Sequence, residues 1–447
     1  MLRDVLPRLF ASLILLALSS GLSAQSANLP NAPGSSLPSA PEAELTAQPV
    51  KDGLSQPLTL ADALALAEKN SPRLHGAAAR LDRATAATLT AKSYTNPQVE
   101  FFSGHQSARS VPSPGTAGLL QHYAVSQTLE IPSERRSRQQ VAQLARISSG
   151  FSQDGVKLAL VADVKQVFYD VLRRKAKIEY AKENLALVED LRRRVEVEVR
   201  TGEKGRLELT RAEAELARAR FMVRSAQIEL ANSTALLRAV IAAPADQSLD
   251  PQGTLESPIH LLPLHELREQ VLRSYPTLQQ SRTEVQQAEA VLRHQRTLRL
   301  PQPVFFGEYE HQPDLTFWRT GVTIPLPLWD RRKGQIAESQ AAIREATAAR
   351  DERQLEIISA LERAYEQYQL ADQQVTALQA GSLREAESAV DAAQAAYHFG
   401  ERGIVEVLDA QRVLQSVRDD MLNAQFARQS ALIDLETLGA VTPGGKL

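Results

Sequence analysis

"YHFGERGIVEVLDAQ", residues 397–411, interrupts one long Ala-, Glu- and Gln-rich run and opens another. Runs of that composition form helices, so Gly400 and Gly403 mark a point where one helix stops and the next begins. An earlier stretch, "VRTGEKGRLEL" at residues 199–209, has the same design, with Gly202 and Gly205 preceding the later pair by 198 residues. Two further matches keep the order. "NSPRLHGAAARLDRA" from Asn70 resembles "SYPTLQQSRTEVQQA" from Ser274, with Pro72/Pro276 and Pro97/Pro301 both 204 apart. "EIPSERRSRQQ" matches "PLPLWDRRKGQ", setting Arg135-Arg136 against Arg331-Arg332 at 196. Offsets change only between elements, as in a tandem duplication with loops of different length.

Each half then reads alike. A helix of about 35 residues is predicted over Leu58–Ser93 and again over Leu264–Leu298. Two alternating stretches follow, 98–105 with 121–130 and 304–311 with 316–326. In "HYAVSQTLEI", Tyr123, Val125 and Leu129 fall on one side, and His122, Ser126 and Thr128 on the other. That period of two, rich in β-branched and aromatic residues, predicts strands. Next come helices of about 60 residues, Ser137–Arg200 and Gly334–Phe399, each of which turns back at its glycine pair. Apolar steps of three and four (Val161, Val164, Phe168, Val171; Ile358, Leu361, Tyr365, Tyr368) are coiled-coil seams. The fold class is mainly α with a small β part: a strand hairpin at one end of a long antiparallel helical hairpin, twice over.

The 447 residues carry a net charge of −2, which excludes the basic field of a nucleic-acid binder. Residues 1–24 read as a signal peptide, with Arg3 and Arg8 ahead of "LFASLILLALSSGL" and small residues at "SAQSA". Residues 25–57, rich in Pro, Ser and Ala, form a disordered tether. The repeats then occupy 58–255 and 256–440, and 441–447 is a tail. There is no cysteine, hence no disulfide and no lipid-modified N-terminal Cys. The histidines show no metal-ligand spacing, Glu308, Glu310, His311 and Asp314 form at most a weak polar cluster, and no nucleotide or hydrolase motif is present. No metal site, cofactor or enzymatic activity is expected.

Four strands cannot span a membrane alone, because an open sheet edge in lipid leaves backbone groups unpaired. Bacterial barrels have at least about eight strands, so two or more copies would have to share one. Two soluble strand hairpins capping a bundle remain the alternative on these grounds, as does a periplasmic coiled-coil scaffold or adaptor.

Taken with the repeat, "PLPLWDRRKGQ" and "YHFGERGIVEVLDAQR" resemble the TolC family of outer membrane efflux channels over residues 58–440, in wording closest to its CzcC/CusC-like branch. The resemblance implies a homotrimer with a shared twelve-stranded transmembrane β-barrel and a trimeric α-barrel in the periplasm. It also implies a periplasmic adaptor and an RND-type inner membrane pump as partners, with heavy-metal cations or drugs as cargo.

Glu406 and Asp409 share a helix face near its N-terminus, where the helix dipole favours acids. A solvated acidic cluster is the plain reading. The resemblance makes them rings of carboxylates at a periplasmic gate, with Arg402 and Tyr397 at gate positions and Glu208 as partner on the first hairpin. It likewise makes the turns at Gly202, Gly205, Gly400 and Gly403 docking tips for the adaptor. From the residues alone, those four glycines serve to turn the chain.

Overall fold

The computed structural model describes residues 57–107, 116–255, 259 and 261–441. The expected signal peptide at 1–24, the tether up to residue 56 and the tail from 442 lie outside the described residues.

The first half runs β1 (Pro57–Leu58), α1 (Leu60–Asn70), α2 (Pro72–Lys92), β2 (Gln98–Gln106), β3 (Gly118–Thr128), α3 (Pro132–Thr201) and α4 (Arg206–Val240). After β4 (Asp250–Pro251), the second half runs α5 (Leu264–Ser274), α6 (Pro276–Thr297), β5 (Val304–His311), β6 (Thr316–Thr323), α7 (Lys333–Ala377), a π turn at Leu378–Ser382, α8 (Leu383–His398) and α9 (Ile404–Thr437). Beside the large elements, β1 pairs in parallel with β4, which joins the start of the described chain to the linker between the halves.

Several expected boundaries move, each for a local reason. The first helix of each half is two helices. Ser71 and Tyr275 precede prolines and sit extended (ψ 117° and 121°), and each proline opens a new helix at its first position. A capping box at Thr59 and Asp62 sets the start of α1: the Asp62 amide donates to Thr59 Oγ1, and the Thr59 amide to Asp62 Oδ2, both at 3.2 Å. The long helix α3 begins five residues before Ser137, since Pro132 at its first position has no N–H to leave unsatisfied. Its 70 residues span about 105 Å at ~1.5 Å per residue. The second long helix starts one residue before Gly334, after Arg332 in a left-handed conformation (φ 53°), and is broken by the π turn. Strand β6 stops at Thr323 rather than at 326 because Pro325 and Pro327 cannot donate to a ladder. On the seams, Leu160 and Ile357 are buried in place of Val161 and Ile358.

The four long strands form one antiparallel sheet in the order β2-β3-β5-β6. Tyr123 stands opposite Phe101 on one side and Tyr309 on the other, and Tyr309 stands opposite Trp318. With Val99, Val125, Phe305 and Val322 these residues line one face, and all are solvent-exposed, Trp318 at 76%. The opposite face carries His122 across from Glu310 and Glu308 across from Arg319, with Phe102 and Phe306 among them.

Below the sheet, α3 packs against α2, α4, α6 and α9, and α7 packs against α6 and α9. Two apolar clusters match one another. Ala63, Ala67, Phe168, Val171, Leu237 and Ile241 form the first, and Leu267, Val271, Leu278, Leu361, Tyr368 and Leu435 the second. Each fully buried Val, Leu, Ile or Phe among them contributes about 1.5–3 kcal/mol. These clusters clamp each short helix pair to its long hairpin.

Candidate functional site at the hairpin turns

Both hairpins turn at the same end of the molecule, over one shared apolar cluster of Leu191, Val195, Ala212, Tyr397, Ile404, Val407 and Leu408. The turns are built alike. Gly202 and Gly400 close α3 and α8 in left-handed backbone (φ 86° and 74°), which a Cβ would strain. The amides of Glu203 and Glu401 then reach back to the carbonyls of Glu198 and Ala396, both at 2.9 Å. Gly205 and Gly403 do something different. Their φ values of −81° and −86° are ordinary, so the expectation that all four glycines bend the chain holds only for Gly202 and Gly400. At Gly403 the missing Cβ leaves room for Glu406, whose Oε2 would lie 3.3 Å from it.

Tyr397 is buried at this junction, and its hydroxyl donates to Glu198 Oε2 at 2.5 Å, bonding the second hairpin to the first. Its pKa is pushed well above the ordinary phenol value, by burial first and then by the hydrogen bond and charge of Glu198, with Glu208 adding to it. The Lys204 ammonium stands 5.7 Å from its ring centroid. Glu198 therefore replaces Glu208 as the partner of Tyr397. Glu208 is near enough to be felt electrostatically, yet its carboxylate makes no hydrogen bond or ion pair among the described residues. Glu198, near the end of α3, is the carboxylate that reaches the Tyr397 hydroxyl. Arg402 is exposed and also lacks a side-chain partner, so no Arg402 clamp forms among the described residues.

Glu406 and Asp409 are both exposed within the first two turns of α9. Asp409 accepts from Arg412 at 3.0 Å, and Arg412 also donates to Glu215 on α4 at 3.0 Å. Glu215 holds the guanidinium pKa above its usual value. Glu406 has no side-chain partner among the described residues and is the freer charge. Farther from the turns, Gln411 Nε2 donates to Asn184 Oδ1 at 2.7 Å in a buried amide pair, while Gln411 Oε1 is left without a partner. Arg418 bonds Glu183 at 2.9 Å and lies over the Tyr180 ring. Arg412 sits one turn past Asp409 and could have been read from spacing; Glu198, Glu215 and Asn184 come from the other hairpin, which sequence spacing does not register.

The arrangement is a pair of helical turns tied by short polar contacts over a common core, with carboxylates on their exposed skin. It offers no nucleophile–base pair, and no group of three or more His, Asp or Glu among the described residues could hold a metal ion.

The family model for outer membrane efflux proteins matches residues 63–243 and again 267–440, one match in each half. The chain belongs to the outer membrane efflux protein family. Among relatives, it is 26% identical over 367 residues to the cobalt-zinc-cadmium resistance protein CzcC of Cupriavidus metallidurans, covering 81% of this chain and 85% of CzcC. Two solved structures share its fold at a TM-score of 0.73 across 85% of the chain. They are CusC, described in terms of transmembrane channel formation (19% identity, 91% of that chain), and the Campylobacter jejuni CmeC outer membrane channel (16%, 85%). The family is one of outer membrane efflux proteins, and the fold is shared with proteins described as membrane channels. No helix among the described residues is long and apolar enough to cross a membrane, a fact that bears on helices and not on the sheet.

Proposed function

We propose that this chain is the outer membrane channel of a tripartite efflux system, a homotrimer acting as a passive conduit across periplasm and outer membrane. In this reading residues 1–24 are removed on export, and each copy supplies four strands to a twelve-stranded barrel. The helical hairpins continue the barrel as a periplasmic tunnel. A periplasmic adaptor docks at the turns around Gly202, Gly205, Gly400 and Gly403, and an RND-type pump supplies the energy. Likeness to a cobalt-zinc-cadmium resistance protein favours heavy-metal cations over drugs as cargo.

The observation that carries the reading is the sheet: one face of exposed aromatic and β-branched side chains and two unpaired edges, continued directly into long helical hairpins, whose longest helix spans about 105 Å. At the far end Tyr397 and Glu198 latch the two hairpins, while Glu406 and Asp409, three copies each, ring the constriction. Arg402 and Glu208 face partners supplied by the assembly.

In planar bilayers the purified protein should form stable pores that multivalent cations block from the turn side. Glu406→Gln with Asp409→Asn should relieve that block. Pores whose block is unchanged would remove both acids from the gate, and a soluble monomer that forms no pores would remove the channel reading itself.

A further inference from the structure

The sheet gives way to helices at one level, which side chains of both halves hold together. Arg135 donates to the Tyr94 hydroxyl at 2.7 Å and to the Lys92 carbonyl at 2.8 Å, fixing the end of α2 to the start of α3. The Leu129 amide donates to the Pro303 carbonyl at 2.9 Å, and Arg332 donates to Gln295 Oε1 at 2.8 Å. The apolar face of the sheet runs on past its last ladder bond. Trp318 and Val322 of β6 are followed, at the same parity, by Ile324, Leu326 and Leu328, all exposed. The run ends on Trp329, at 91% the most exposed large apolar side chain among the described residues. Tyr94 is exposed at the matching junction of the first half.

Charge at this level is lopsided. Residues 92–96, 129–138, 296–303 and 324–334 hold nine Lys and Arg against three acids, in a chain whose net charge is −2. Each of those acids is engaged. Glu130 pairs with Arg138, Glu134 is buried and accepts from Gln302, and Asp330 accepts from the Arg332 amide at 2.8 Å. Lys92, Arg136, Arg296, Arg299, Arg331 and Lys333 are exposed, and none has an ion-pair partner among the described residues. At the opposite end of the sheet, residues 105–107, 116–120 and 310–316 include no Lys or Arg.

An apolar strip, then aromatic rings, then unpaired cations is the order of groups across a lipid–water boundary. Tryptophan and tyrosine settle at headgroup level, and long basic side chains reach past apolar surface to phosphate. The charge surplus also selects among headgroups. A zwitterionic lipid brings a cation that needs a carboxylate, and the three acids here are taken. A lipid with phosphate and no cation leaves nothing unpaired, and exposed Lys and Arg attract it.

We infer that the sheet–helix junction is a binding surface for anionic phospholipid, whose phosphates meet the exposed Arg and Lys beside Trp329. The inference rests on the outer membrane channel reading and names the lipid that meets the sheet at its helical end.

The chain has two tryptophans, so Trp318→Phe leaves Trp329 as the single indole. The full chain would be placed in vesicles of equal phosphatidylglycerol and phosphatidylcholine, with bromine on the acyl chains of one lipid or the other. Brominated phosphatidylglycerol should quench Trp329 more strongly than brominated phosphatidylcholine. Arg136→Gln, Arg331→Gln and Lys333→Gln together should make the two lipids quench equally. Arg136→Lys with Arg331→Lys keeps the charge and should keep the preference. Trp318, observed alone in Trp329→Phe, should be quenched by both lipids. Equal quenching of Trp329 with every cation in place would overturn the anionic-lipid surface. So would a preference that survives the three Gln changes or is lost on the two Lys changes. Trp329 unquenched beside a quenched Trp318 would give the junction to a protein neighbour and leave the channel standing. Neither tryptophan quenched would overturn both.

Discussion

At the turn end, Val195, Tyr397 and Ile404 are buried by the chain's own two hairpins, whereas at the sheet end Val99, Tyr123 and Trp318 lie exposed on one face. Both ends are built from apolar side chains brought together by the repeat. The turns find their apolar partners in cis because α8, α9 and α3 converge there. The sheet has only four strands, which is too few to curl around its own face. In the proposed channel, one end of the molecule can therefore form before assembly, and the other is completed by lipid and by further copies.

Perturbing each end separately sharpens that contrast. Ile404→Ala, at a position with no exposed surface in the turn cluster, should cost about 2–5 kcal/mol locally. Hydrogen exchange should show the turns opening at unchanged sheet protection; uniform loss across both ends would mean that the turn cluster is not an independent unit. Tyr123→Arg, in the middle of the exposed face, should cost about 2–4 kcal/mol in lipid. The fraction of heat-sensitive oligomer in outer membrane preparations should fall, while the helix content of the detergent-solubilised chain holds. Full insertion of this variant would detach that face from lipid.

The smallest effect is the most specific. The folded-state pKa of Tyr397 is raised, so its contribution to stability is complete below the ordinary phenol value of about 10 and is lost as pH climbs from there through the raised value. Helix melting followed by circular dichroism should show this alkaline loss in the parent chain, and Tyr397→Phe should flatten it. A variant whose alkaline profile matches the parent's would show that other groups govern that range.

Much of this layout is legible in the sequence because the repeat converts weak signals into paired ones. The glycine turns, the alternation in "HYAVSQTLEI" and the long apolar seams each occur twice, and each lies close to where the pattern puts it. The helix breaks at Pro72 and Pro276 were visible in kind, since a residue before proline resists helix, but a long apolar period masks a single interruption. The π turn leaves a subtler trace. Buried pairs run at an offset of 197 up to Ile178/Val375 and at 198 from Val188/Ala386 onward, the one-residue surplus that such a turn absorbs. At the site, Tyr397 could be singled out but its partner could not, because which residue of α3 meets α8 depends on how far one rod is slid along the other.

The buried amide pair of Gln411 and Asn184 bears on that sliding. Rods that meet only through Leu and Val can shift along each other by whole helical turns, about 5.4 Å at a time, with modest loss. A displaced setting here would strand two amides in an apolar seam, at about 1–3 kcal/mol for each unsatisfied group. The pair acts as an indexing pin: with the Arg418–Glu183 bond beside it, it holds the two rods at one setting, and so delivers both turns to the same height.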